Sequence, residues 1–166
     1  MIEYKIVAIP RPQGSKRHVG RGIMVESSKH IKNWRAFARL KAEEAMEFSS
    51  LIDKPDAVCV GVLFCFDRPQ KHYLKGGLRF SAPSLHTSAP DTDKLLRALL
   101  DSMTGIVFKD DSQVAKVLAI KIYECTVAQT IVFAGNESEW QEILTNVRSR
   151  EYTLECHSKS IRIGKP

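Results

Sequence analysis

Asp91 and Asp93 stand one residue apart, and a second acidic pair, Asp110-Asp111, follows further along the chain. Their carboxylates are hard oxygen donors. Mg²⁺ prefers such donors in near-octahedral geometry and is usually held by one or two carboxylates, with water and substrate phosphate completing its shell. Ions held in pairs stabilise both the attacking and the leaving oxygen of a phosphodiester. The same residues have plainer uses. Aspartate is a favoured helix N-cap, so Asp91 or Asp93 also suits that role, and Asp110-Asp111 also suits a surface turn.

The segment between the clusters must position them. Leu95, Leu96, Leu99, Leu100 and Met103 fall on one face at helical spacing, with Lys94, Arg97 and Asp101 opposite. This predicts an amphipathic helix over 92–103, stopped by Thr104-Gly105. Its apolar face anchors it to a core, which sets the direction of Asp91 and Asp93.

The two clusters together resemble the RusA-type Holliday junction resolvases. The matching residues are Asp91, Asp93, Arg97, Asp101, Gly105, Asp110, Asp111 and Gln113. The resemblance is strongest over 90–114. It extends more weakly to Ile9-Pro10-Arg11-Pro12-Gln13-Gly14-Ser15-Lys16-Arg17, and none is visible after residue 135. It implies a small homodimeric, Mg²⁺-dependent endonuclease that nicks four-way DNA junctions in recombination and repair, with Mn²⁺ as a substitute ion. The metal carboxylates it implies are Asp91, Asp93 and Asp111, with Asp110 supporting the site or sharing a metal. Two positions depart from the family pattern. Lys94 stands where the family usually has Asn, and Arg97 where it usually has a catalytic Lys. Arginine grips phosphate bidentately but gives up no proton near neutral pH. Lys94, one helical turn from Arg97, is placed either to supply the missing ammonium or to repel the metal.

The 166 residues suit one domain with a single core, and 43% hydrophobic with 27% charged residues is ordinary for a globular chain. A net charge of +6 favours a polyanionic partner such as DNA. None of Cys59, Cys65, Cys125 and Cys156 forms a CxxC pair, which argues against structural zinc, and Cys59 and Cys65 fall in an apolar run as core residues. The opening Met-Ile-Glu-Tyr-Lys is unlike a signal peptide, and no apolar stretch approaches a membrane span, so the expected compartment is the cytoplasm.

Taken in order, residues 2–9 predict a strand. A long basic loop, 10–31, carries Arg11, Lys16, Arg17, Arg21 and Lys29 as candidate DNA-phosphate contacts. A helix is predicted over 32–48 and a buried strand over 57–66. A second loop, 67–89, carries Arg68, Lys71, His72, Lys75, Arg79 and His86; Lys71 and Lys75 are further DNA-contact candidates. The irregular spacing of its histidines favours surface positions over a metal site. Tyr73 and Phe80 either stack on an unpaired base or pin the loop to the core, and the second is the expectation. Strands are predicted over 113–123 and 126–134, joined as an antiparallel hairpin, then a helix from Ser138 to Val147, and a strand within 151–163.

This order predicts a single α/β (α+β) domain with a mixed β-sheet flanked by helices. Residues 1–135 would form the endonuclease domain. Residues 136–166 would be a C-terminal extension of unknown role packed on it. A non-catalytic junction-binding protein with a degenerate metal site is the competing expectation, and an interaction protein whose aspartates only cap and turn is a third.

Overall fold

The computed structural model describes residues 1–14, 16–18, 24–26, 30–75, 77–124 and 126–160, with side chains outside 16–18, 24–26 and 155–160. Its frame is a four-stranded mixed sheet with helices on both faces, in a single domain. Strand β4 (Val58–Asp67) is buried along nearly its whole length because both faces and both edges are covered. It pairs in parallel with β7 (Val114–Glu124) and antiparallel with β8 (Gln129–Asn136). β1 (Ile2–Ile6) pairs antiparallel with β8, so the order is β1-β8-β4-β7.

The predicted hairpin between the last two strands is therefore corrected. β7 and β8 flank β4 on opposite sides. A buried strand must satisfy backbone groups at both its edges, and β4 takes one neighbour from each. The parallel neighbour requires a crossover, which is supplied by helix α2 (Thr92–Met103).

Helix α1 (Ile31–Ala45) and α2 lie on one face of the sheet. They pack on Val58, Val60, Val62, Phe64 and Phe66 of β4. Ile31, Trp34, Ala38 and Ala42 form the buried stripe of α1. Helix α3 (Trp140–Ser160) covers the other face, where Ile143 and Val147 meet Cys59, Leu63 and Cys65. The approach is close: a Cβ on Gly61 would come within 2.5 Å of Val147 Cγ2 and 2.7 Å of Ile143 Cγ2. The strand expected within 151–163 is helix through Ser160, with 161–163 outside the described residues. Ile143, Val147 and Leu154 keep helical spacing against the core, which carries the helix past the predicted end.

Both long loops contain short hairpins that the sequence reading missed. Lys16–His18 (β2) pairs with Met24–Glu26 (β3), and Tyr73–Leu74 (β5) pairs with Gly77–Leu78 (β6). Strands of two or three residues are too short for a hydrophobic period to register.

The link from α2 to β7 turns at Gly105, whose φ of 78° favours glycine and whose N–H donates to the Phe108 carbonyl at 2.7 Å. Phe108 is fully buried beneath this turn. Phe108→Ala should cost about 3–5 kcal/mol through the cavity it leaves. A urea unfolding midpoint within error of the parent would contradict that.

Candidate active site

Helix α2 has the predicted bounds; of its predicted apolar face Leu95, Leu99 and Met103 are fully buried and Leu96 and Leu100 partly so, while Ala98 is buried beside them. Asp91 occupies its N-cap position, yet its side chain caps nothing. The carboxylate instead accepts from Lys94 Nζ at 2.6 Å. This bond and the Lys94 charge hold Asp91 below the usual carboxylate range, with a smaller pull from Lys121. Asp93, in the first turn, is exposed and accepts no side-chain hydrogen bond among the described residues.

Two further contacts shape this end. Lys121 of β7 donates to the carbonyls of Ser88 at 2.8 Å and Pro90 at 2.7 Å, fixing the chain as it enters Asp91. The Gln13 N–H donates to the Lys94 carbonyl at 2.9 Å, which lays the start of the N-terminal basic segment against α2. Sequence reasoning missed Lys121. Its signal was a lone lysine inside the apolar run Ala119-Ile120-Lys121-Ile122.

Asp110 and Asp111 lie at the other end of α2. Asp110 caps a 3₁₀ turn over Asp111–Gln113, accepting from the Ser112 N–H at 2.9 Å and from Lys54 Nζ at 3.2 Å. The hydroxyl and N–H of Ser112, then Lys54, keep its carboxyl far below the ordinary range. Gln113 returns the cap and donates to the carbonyls of Ile52 and Asp56. Asp110 and Gln113 thus hold the turn, while Asp111 points its carboxylate outward with no hydrogen bond among the described residues. Asp111 lines an open polar cavity of about 460 Å³ with Arg35, Asp101, Thr104, Lys109 and Asp110. There Arg35 of α1 and Asp101 form an ion pair at 2.5 Å.

The acidic clusters do not meet within one chain. The 12 residues of α2 span about 18 Å at 1.5 Å per residue, so the helix is a strut between them. Among the described residues no three His, Cys, Asp or Glu side chains gather closely enough to hold a metal ion. Arg97 is exposed midway along the strut. Arg11 lines a cavity beside α1; Lys71 and Lys75 are exposed near the β5–β6 hairpin. Lys16 and Arg17 belong to β2, and Arg21 and Lys29 lie outside the described residues.

The segment 67–90 docks on the same edge as Lys121. Arg68 is buried, donating to the Pro83 carbonyl at 2.7 Å with its guanidinium 5.2 Å from the Tyr123 ring centre. His86 stacks on Phe66 at 4.2 Å, and His72 meets Tyr123 edge-on at 5.0 Å. The expected surface positions of these histidines are corrected to half-buried ones, with both rings packed against aromatics at the sheet's end. Phe80 is also corrected, since it is 94% exposed rather than pinned to the core.

Burial pushes both imidazoles below the usual histidine pKa, helped by Lys121 at His86 and by Arg68, Lys71 and Arg79 at His72. The folded state therefore binds fewer protons than the unfolded chain once the pH drops below about 6.5. Stability present above that pH should fall as the solution is acidified. His86→Phe keeps the stacking ring and removes the charge, so it should lose less Tm between pH 7.5 and 5.5 than the parent. An equal loss in both proteins would contradict this.

The model of the family Endodeoxyribonuclease RusA matches residues 3–133. The chain belongs to the RusA endodeoxyribonuclease family. No curated protein matches it. The RusA match takes in all but the first residue of β1, both helices of one face, both acidic clusters and most of β8, and it stops before α3. RusA enzymes are Holliday junction nucleases and are generally divalent-metal dependent. The donor chemistry of Asp91 and Asp93 fits such an ion: two hard carboxylates, exposed, with no capping duty. Among the described residues, no third carboxylate of the same chain gathers with them.

Proposed function

We propose that this RusA-family chain is a Mg²⁺-dependent endonuclease that resolves four-way DNA junctions by paired symmetric nicks, acting as a homodimer in recombination and repair. The observation that carries the proposal is the state of the α2 N-terminus. Asp91 and Asp93 are held on a leucine-anchored helix, free of capping duty, beside the basic N-terminal segment.

Asp91 and Asp93 would hold the metal, with Asp111 of the partner subunit as third ligand and Asp110 keeping that turn in shape. The chemistry such an ion would supply there is activation of water and stabilisation of charge on the phosphate. The chain's own residues would do the rest. Arg97 would grip phosphate oxygens bidentately through its guanidinium fork. Lys94 competes with a cation for Asp91; once displaced, its ammonium is free for the phosphate one helical turn from Arg97. Lys71, Lys75 and the basic segment with Arg11, Lys16, Arg17, Arg21 and Lys29 would contact DNA backbone with little base reading.

The dimer proposal rests on β7. It is an edge strand, and loop residues Ser84, Leu85 and His86 engage only its last part. Residues 114–120 keep an open outer edge among the described residues, with Val117 39% exposed. An open apolar edge is a template for another strand. Antiparallel pairing of β7 with its copy about a two-fold near Val117 would extend the sheet and keep both α2 helices on one face. At ~3.3 Å per residue, Lys121 and Val114 lie roughly 23 Å apart along β7. The two-fold would then set Lys121, with Asp91 beside it, opposite Val114 of the partner subunit, next to Asp111 of the partner subunit. That would give two complete sites, one for each nick.

One observation favours the non-catalytic alternative: Lys94 already occupies Asp91. A labelled four-way junction and a matched linear duplex, each in Mg²⁺, Ca²⁺ and EDTA, separate the two. Symmetric nicks in Mg²⁺ alone support the nuclease. Tight junction binding without nicks in Mg²⁺ or Mn²⁺ supports the binding protein.

A further inference from the structure

Phe80 stands 94% exposed on a turn whose two ends are tied down. Residues 79–82 form the turn, closed by the Ala82 N–H on the Arg79 carbonyl at 3.1 Å. On one side the Arg79 N–H donates to the His72 carbonyl at 2.9 Å, and Leu78 is buried. On the other, the buried Arg68 donates to the Pro83 carbonyl at 2.7 Å. Next along the chain, the Ser84 carbonyl accepts from the Tyr123 N–H at 2.9 Å, and the His86 N–H donates to the Lys121 carbonyl at 2.9 Å. The backbone that carries Phe80 is therefore anchored, while its ring is left in water, forgoing the gain of burial.

The surroundings say what covers the ring. From residue 68 to residue 90 the sequence holds Arg68, Lys71, Lys75 and Arg79 and no Asp or Glu. Lys71, Lys75 and Arg79 are exposed, so this surface suits a polyanion. It also lies at the right place. Phe80 is four residues from Ser84, within about 14 Å of chain. Ser84 is seated on the stretch of β7 where Lys121 holds the Pro90 carbonyl beside Asp91. Phe48 makes the contrast. It is equally exposed, but it follows Glu43, Glu44 and Glu47, whose charges repel DNA.

We propose that Phe80 stacks on an exposed base face at the centre of the branched DNA, with Lys71, Lys75 and Arg79 on the neighbouring phosphates. The proposal deepens the junction-nuclease reading and rests on it. In a continuous duplex the bases stack on one another and cover their faces. Where four arms meet, that stack is interrupted, and an aromatic side chain can take the vacant face of any base. Phosphate contacts are common to junction and duplex, so a stacking residue would supply a preference for the branch that they do not.

The test measures affinity of the full chain in Ca²⁺ for a four-way junction and for a matched linear duplex. Phe80→Ala should weaken junction binding about tenfold, the loss of one stacked base, and leave duplex binding unchanged. Phe80→Trp keeps an aromatic face and should restore the preference. Phe48→Ala, the control, should alter neither affinity. Both phenylalanines are exposed, so Tm should stay with the parent in all three variants. A 2-aminopurine base at the branch point reads the stacking itself, and its emission at saturation should differ between the parent and Phe80→Ala. Equal losses on junction and duplex, or no loss on either, would overturn the proposal. So would a free-protein dimer that Phe80→Ala dissociates in sedimentation velocity, because a second copy would then cover the ring. Junction nicking is scored separately in Mg²⁺. A parent that nicks, with junction binding unchanged by Phe80→Ala, loses the stacking site and keeps the nuclease.

Discussion

Asp93→Asn should abolish nicking of a four-way junction in Mg²⁺, lowering the rate by on the order of 10³-fold, the several kcal/mol that metal-centred charge stabilisation supplies. Asp93 is the carboxylate to remove because it has no structural task. It lies exposed in the first turn of α2, accepts no side-chain hydrogen bond among the described residues, and is not the N-cap. Folding should be unaffected, with Tm within a degree or so of the parent, since exposed substitutions away from such features have small effects. Junction affinity in Ca²⁺ or EDTA should hold or tighten slightly, because one negative charge facing phosphate is gone. Retained binding with lost nicking is the signature of a ligand. Retained nicking would remove Asp93 from the site and move the chemistry away from α2.

Val117→Asp should dissociate the dimer and lower nicking at least about 100-fold at equal chain concentration. Pairing β7 with its copy about a two-fold near Val117 would set the new carboxylate close to its own copy, and like charges so placed cost several kcal/mol. The monomer should fold normally, because Val117 is already 39% exposed and outside the buried core. Sedimentation velocity reads the mass, and the junction assay reads the activity. Loss of the dimer together with nicking would support sites completed by Asp111 of the partner subunit. A monomeric variant that nicks at the parental rate would require Asp91 and Asp93 to act without Asp111, which the length of α2 keeps away within one chain. The opposite double charge, Val117→Lys mixed with Val117→Asp, should restore the dimer, which a merely damaged strand would not do.

What the sequence determined by itself was local. The leucine stripe and the Thr104-Gly105 stop placed α2 at Thr92–Met103, because helical period and a positive-φ glycine are properties of neighbouring residues. The apolar run with Cys59 and Cys65 became the central strand β4 for the same reason, since a strand buried on both faces needs no alternation. The acidic clusters and the basic balance were equally legible, and they led to the RusA family that the match over 3–133 shows.

Only the tertiary structure decided the rest. Adjacency along the chain suggested a β7–β8 hairpin, but β4 lies between them because a buried strand must have both edges paired. Asp91 and Asp111 belong to one motif, yet a rigid helix of about 18 Å separates them. Whether Asp91 caps its helix was open until its carboxylate was found on Lys94. Lys121 and His86 join residues far apart in sequence, through carbonyl contacts and ring stacking. Such features depend on which surfaces meet, and periodicity along one chain does not encode that.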